Sequence, residues 1–331
     1  MNVLVAGTTG ETACRVARVK TLGLATRDAY GQALVELGES DSNVVALDAD
    51  LSKSTKSGLF AARFPERFVN CGIAEANMVS IAAGLASCGK IPFASSFASF
   101  LLCKGFDQLR MSVANPRLNV KVVGSHGGIS LGEDGASQQS VEDFALACAL
   151  PGFSVVAPAD EVSCKALVYL AARHVGPVYL RTGRPRAPKI YSPSESFAWG
   201  KANRLAAGSD VTVIACGLLV WEALVASDLC AARGISVGVI DLHTLKPIDV
   251  EAIISAAETT GAIVTAEEHL ASGGLGSRVA QVLAEHRPTP MVAVGLADTY
   301  AESGPHEVLF EKYGLTAPRI VSAIEEVLKR R

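Results

Sequence analysis

The chain has 331 residues, 49% of them apolar and 19% charged, with a formal net charge of −3. That balance supplies two domains with cores of their own and argues against a nucleic-acid partner, which a strongly basic surface would mark. No apolar run reaches the roughly 18 residues of a membrane span, so the expected partner is a small molecule and no membrane contact is expected.

The eight cysteines are scattered, form no CxxC pair and sit mostly in apolar runs. This predicts reduced core thiols and a cytoplasmic protein rather than a disulfide or zinc framework. The opening "MNVLVAGTTG" lacks the basic flank of a signal peptide. Gly7, Gly10 and Ala13 look like a fragment of a dinucleotide loop, but the next helix begins too soon for a complete unit, so residues 1–20 read as a tail or packing arm.

From Thr26 to Leu37 the period is helical, with Thr26 placed to cap it. Strands are predicted at 43–50, 67–71, 91–97, 119–125, 153–159 and 177–183, with helical stretches between most of them. Continuous apolar strands separated by helices imply a parallel sheet covered on both faces. The stretch "GRPRAPKIYSPSES" (183–196) is rich in proline and polar residues, as an interdomain connection would be. A second alternation follows, with strands at 211–217, 236–249, 262–269 and 291–298, before the closing helix "PRIVSAIEEVLKRR". The reading is α/β with two doubly wound domains: a parallel-sheet domain over 21–190, a linker over 191–205, and a smaller, mostly parallel-sheet domain over 206–331.

Ligands of open parallel sheets bind beyond the carboxyl ends of the strands. The residues expected there are Asp50 with "SKST", then Glu75, Phe97 and Phe100, the loop "SHGGISLGEDGASQQ", and Arg181 with Arg184. Each has a plainer explanation when taken alone. Glu75 in a first helical turn suits a cap or the helix dipole. The Phe pair suits a core, His126 a structural role, Asp134 a turn, and each arginine a surface ion pair. Together they form an active-site inventory.

These stretches resemble the transketolase family. "ATRDAYGQAL", "ALDADLSKST", "GIAEANMVSIAAGLA", "SSFASFLLCKGFDQLRM", "GSHGGISLGEDGASQQSVED", "YLRTGRP", "HTLKPID" and "EEHLASGGLGS" follow the family pattern in order. The C-terminal phrases alone would also fit 1-deoxyxylulose-5-phosphate synthase or the β subunit of a 2-oxo-acid dehydrogenase. "SKST" and the long His126 loop are more similar to transketolase.

The resemblance implies a pyrimidine-binding domain followed by a transketolase C-terminal domain, working on thiamine diphosphate. It implies that Glu75 activates the cofactor, that Phe97 and Phe100 flank its pyrimidine, and that Asp50 lies at the cofactor. His126 and Asp134 would bind the ketol hydroxyls of the donor. Gln138, where some members carry histidine, would keep a hydrogen-bonding role, and Cys103 stands where some carry tyrosine. Arg27, Ser54 and Arg181 would hold the sugar phosphate, so that Arg181→Ala is expected to raise KM more than it lowers turnover.

No GDG motif is present, so the diphosphate and its Mg2+ are assigned to a separate N-terminal-type subunit, in an assembly of the α2β2 kind, and no metal ligand is assigned in this chain. The function implied is transfer of a two-carbon ketol unit from a ketose phosphate to an aldose. The alternatives are a ketol transferase of secondary sugar metabolism and a non-catalytic partner protein. His269 and "GGLGS" are read as structural, although a helix start there could also bind an anion.

Overall fold

The computed structural model describes residues 18–331; most of the expected tail, with its glycines, lies outside them. All six strands expected in the first half form. Side by side, in the order Ser154–Val156, Val178–Thr182, Lys121–Ser125, Ile91–Phe97, Val44–Asp48 and Phe68–Asn70, they pair in parallel. The middle strands are apolar and buried on both faces, as parallel strands between two helical layers must be. On one face Tyr30, Leu34, Phe60 and Leu167 pack against Phe93 and Leu180. On the other, Met78, Val79, Leu101 and Leu109 pack against Leu47, Ala94 and Val122, and the same cluster continues into Ile240, Ile253 and Leu275 of the second half. The two domains therefore share a core.

The second sheet runs Met291–Leu296, Ile263–Leu270, Val211–Ala215 and Val237–Asp241, all parallel, closed by Asn203–Ala206 as an antiparallel edge. That edge strand begins inside the expected linker 191–205 and runs one residue past it. The single strand expected at 236–249 is two: Val237–Asp241 stays in the second sheet, while Thr244–Lys246 crosses over and pairs antiparallel with Ser154–Val156. A continuous apolar run reports burial, not which sheet provides it.

Thr26 does not cap its helix. The helix Thr26–Ser40 starts without a side-chain cap, and the Thr26 hydroxyl instead accepts from Gly183 N–H at 2.7 Å. Asp160 is the cap that ties the first domain to the connecting segment. One of its oxygens accepts from Ser163 N–H at the start of the helix Glu161–Arg173, and the other accepts from Ile190 and Tyr191 N–H in the connecting segment. Among the described residues every cysteine is free; Cys164, Cys216 and Cys230 are buried, but Cys88 and Cys103 are exposed, against the expectation of core thiols. No described helix is long and apolar enough to cross a membrane.

Candidate active site

Glu75 is the first residue of the helix Glu75–Ser87 and is only 3% exposed. Its partners are distant: Ser96 Oγ donates to Oε1 at 3.4 Å and Lys104 Nζ stands 3.6 Å from Oε2. A buried carboxylate normally collects shorter hydrogen bonds than these. Phe97, which ends the strand Ile91–Phe97, and Phe100, on the next helical turn, stack at 5.6 Å between centroids and 20° between planes. Lys104 joins the two features, since its amine also lies 4.3 Å from the centre of the Phe100 ring.

His126 follows the strand Lys121–Ser125 in the left-handed region, at φ 61, a conformation that a side chain other than glycine adopts at a cost. Its ring stacks on Phe97 at 4.1 Å. Arg27 Nη1 reaches His126 Nε2 at 3.0 Å, and because a guanidinium only donates, Nε2 accepts and Nδ1–H donates to Ser125 Oγ at 2.7 Å. Burial, reinforced by Arg27, Arg184 and Lys56, pushes the imidazole down to about 3, so it is neutral at working pH. Arg27 Nη1 also donates to the Ser54 carbonyl at 3.2 Å, which brings Arg27, Ser54 and His126 together.

The turn carrying Ser54 is built by Asp48, a residue the sequence did not single out. Its carboxylate accepts from Leu51 N–H at 2.5 Å, Thr55 Oγ1 at 2.7 Å and Ser57 Oγ at 2.8 Å, while burial still raises its pKa. Asp50, at φ 65, is exposed and accepts from Asn70 Nδ2 at 3.1 Å. Asp134 is exposed on the loop, 3.8 Å from Arg184 Nη1, and the Gln138 carbonyl accepts from Ser99 Oγ at 2.9 Å.

Arg181 departs from the expectation. It does not join Arg27 and Ser54 but is 8% exposed, with Nε 3.0 Å from Asp143 Oδ2, Nη2 donating to the Ser140 carbonyl at 3.0 Å, and its guanidinium over Phe144 at 4.3 Å. Burial pulls its pKa down, but Asp143 and Glu268 more than offset that and leave it raised. The half-buried Arg184 takes the rim position instead, donating to the Leu131 carbonyl and standing 3.3 Å from Glu133.

The helix start within "GGLGS" is not open to an anion either, because Glu267 accepts from Leu275 and Gly276 N–H, each at 2.7 Å. His269 accepts from Ala145 N–H at 3.3 Å through Nε2 and contacts the Leu270 carbonyl through Nδ1, a structural placement. The signal missed in the sequence was the pair Glu267 and Glu268 inside an otherwise apolar strand, since buried consecutive carboxylates need dedicated partners. Among the described residues no group of three or more His, Cys, Asp or Glu is placed to hold a metal.

A buried, under-partnered carboxylate beside two parallel aromatic rings fits a flat heteroaromatic ring carrying an N–H donor. Residues 23–189 match the family "Transketolase, pyrimidine binding domain" and residues 200–320 match "Transketolase, C-terminal domain". The chain belongs to the transketolase family. That family depends on thiamine diphosphate, whose aminopyrimidine is such a ring.

Among its transketolase relatives is the "6-deoxy-6-sulfo-D-fructose transketolase subunit SqwH" of a Clostridium species, 43% identical over 92% of this chain and 95% of that protein. A subunit of the apulose-4-phosphate transketolase of Phocaeicola vulgatus is 38% identical over 93% of this chain and 98% of that one. A solved structure titled "Split gene transketolase, inactive beta4 tetramer" superposes with a TM-score of 0.87 at 50% identity, covering 93% of this chain and 99% of that one. All three are of nearly the same extent as this chain.

Proposed function

We propose that the chain is the C-terminal subunit of a split transketolase that moves a two-carbon ketol unit from a ketose with a terminal phosphate to an aldose. The reading is carried by one chain of contacts: Glu75 pairs with the Lys104 that lies over Phe100, Phe100 stacks on Phe97, Phe97 stacks on His126, and the cations Arg27 and Arg184 act on that imidazole. Thiamine diphosphate, when bound, supplies the carbon nucleophile for cleavage beside the donor carbonyl.

Glu75 shares a proton with a pyrimidine ring nitrogen. Phe97 and Phe100 hold the ring and keep water from the carboxylate, and Asp50 lies at the mouth of the cofactor cleft. His126 stays neutral, and Arg27, which can only donate to Nε2, sets its tautomer, leaving Nδ1–H for Ser125 Oγ. When Arg27 turns to an anion, the Nε2 lone pair becomes free to accept from a donor hydroxyl. Asp134 and Gln138 bind the remaining ketol hydroxyls. Arg27, Arg184 and Ser54 hold the terminal phosphate, for which paired guanidinium donors are suited. The diphosphate and Mg2+ belong to an N-terminal-type partner subunit, in an α2β2 assembly in the cytoplasm.

The test is co-expression with an N-terminal-type subunit, followed by a ketol-transfer assay with thiamine diphosphate and Mg2+, using phosphorylated and sulfonated ketoses as donors. Activity is expected only in the mixture, and to be lost with Glu75→Gln. A mixture that forms no complex and transfers nothing would favour the non-catalytic reading; preference for a sulfonated donor would keep the chemistry and change the substrate.

A further inference from the structure

We infer that Glu268, from the second domain, is a positioning residue for the His126 loop of the first. It lies on the strand Ile263–Leu270 and is 6% exposed. Its Oε1 accepts from Ser130 N–H at 2.5 Å, across the seam between the domains. The backbone of the loop lies directly against it. A Cβ at Gly128, where φ is 79, would come within 2.2 Å of Glu268 Oε1, and a Cβ at Gly127 within 2.0 Å of Arg181 Nε. The turn alone favours glycine at Gly128, and at both positions the loop also lies so close to a side chain that a Cβ would have no room.

The far side of the loop is closed by the pairing of Gly128 with Ser140, whose carbonyl also receives Arg181 Nη2. Glu268 thus fixes the residues that immediately follow His126, and so the direction in which the left-handed His126 presents its ring to Phe97 and Arg27. The positioning role stands on this geometry alone; its catalytic consequence rests on the transketolase reading. Glu267 is a built-in control, since it is one residue away and as deeply buried, but spends its carboxylate on the helix start of its own domain.

The experiment is hydrogen exchange on the isolated full chain, resolved over residues 127–130, for wild type, Glu268→Ala, Glu268→Gln and Glu267→Ala. Glu268→Ala is expected to speed exchange at Ile129 and Ser130 by about tenfold or more. Glu268→Gln, which keeps an acceptor, is expected to recover most of the protection, and Glu267→Ala to leave these amides unchanged while loosening Leu275 and Gly276.

Unchanged protection over 127–130 in Glu268→Ala, or equal loosening throughout both domains, would overturn the inference. Should Glu268→Ala not fold, Gly128→Ala, Glu268→Asp and their combination complete a cycle, since the shorter side chain keeps the charge but withdraws it from Gly128. A penalty for Gly128→Ala that is the same beside Glu268 and beside the shorter carboxylate would also overturn the inference. In the reconstituted enzyme the same variant should lower kcat/KM about tenfold with rescue by Gln. Inactive wild type there would refute the functional reading and leave the exchange result standing.

Discussion

Two regions of this molecule bury charge, and they do so in opposite ways. In the seam between the domains, Arg181 meets Asp143, the Ser140 carbonyl and the Phe144 face, Tyr179 donates to the same Asp143 oxygen at 2.6 Å, and Glu268 stands opposite. In the cleft, Glu75 is buried just as deeply, and among the described residues its carboxylate has no polar partner closer than 3.4 Å. Desolvation has to be offset by interactions of similar size. Where the protein provides them, the charge holds the fold together; where it leaves them out, a ligand is expected to bring them.

The largest test of this contrast is removal of one seam partner. Arg181→Ala strands Asp143 in an apolar setting and should cost about 3–5 kcal/mol of unfolding free energy, read from urea denaturation. A cost below about 1 kcal/mol would remove the distinction between the regions. Next is Glu75→Gln, which should lower turnover by about 10²-fold or more while leaving stability within about 1 kcal/mol of wild type. If it unfolds the protein instead, Glu75 belongs with the seam.

His126 offers a test by pH. Its pKa is about 3 in the folded chain against about 6.5 unfolded, so the unfolded chain takes up the proton first as acid is added. The contribution is full above pH 6.5 and is lost as pH falls from there toward 3, at up to about 1.4 kcal/mol per pH unit. The stability difference between wild type and His126→Asn should therefore shrink between pH 6.5 and 5. A flat difference would mean that the imidazole is not buried beside cations. Arg184→Ala tests the rim: KM for a phosphorylated donor should rise about tenfold, worth about 1.4 kcal/mol, with kcat nearly unchanged. An effect on kcat alone would return the anchor to another residue.

Much of this was legible in the sequence. All six parallel strands of the first domain follow from β-branched runs between helical periods, and the order of motifs along the chain placed Glu75, Phe97 and His126 on one rim. Arg181 and Arg184 were not separable. They lie three residues apart at the end of one strand, and which of them turns inward depends on Asp143 and Glu268, brought there by a different loop and a different domain. The crossing strand Thr244–Lys246 was hidden for the same reason, because its partner is about 90 residues earlier in the chain and a local pattern carries no information about it.

The smallest effect is the most discriminating for the cleft. Lys104 is the one cation near Glu75 among the described residues, but its side chain is 51% exposed and its amine stands 3.6 Å away. An exposed pair at that distance is worth less than about 1 kcal/mol after solvent screening. Lys104→Gln should therefore change stability by no more than that, and should lower turnover far less than Glu75→Gln. A collapse of activity in Lys104→Gln that matched Glu75→Gln would mean that the lysine already serves as the carboxylate's working partner. Glu75 would then not be held open for a ring N–H, even if the enzyme proved to be a transketolase.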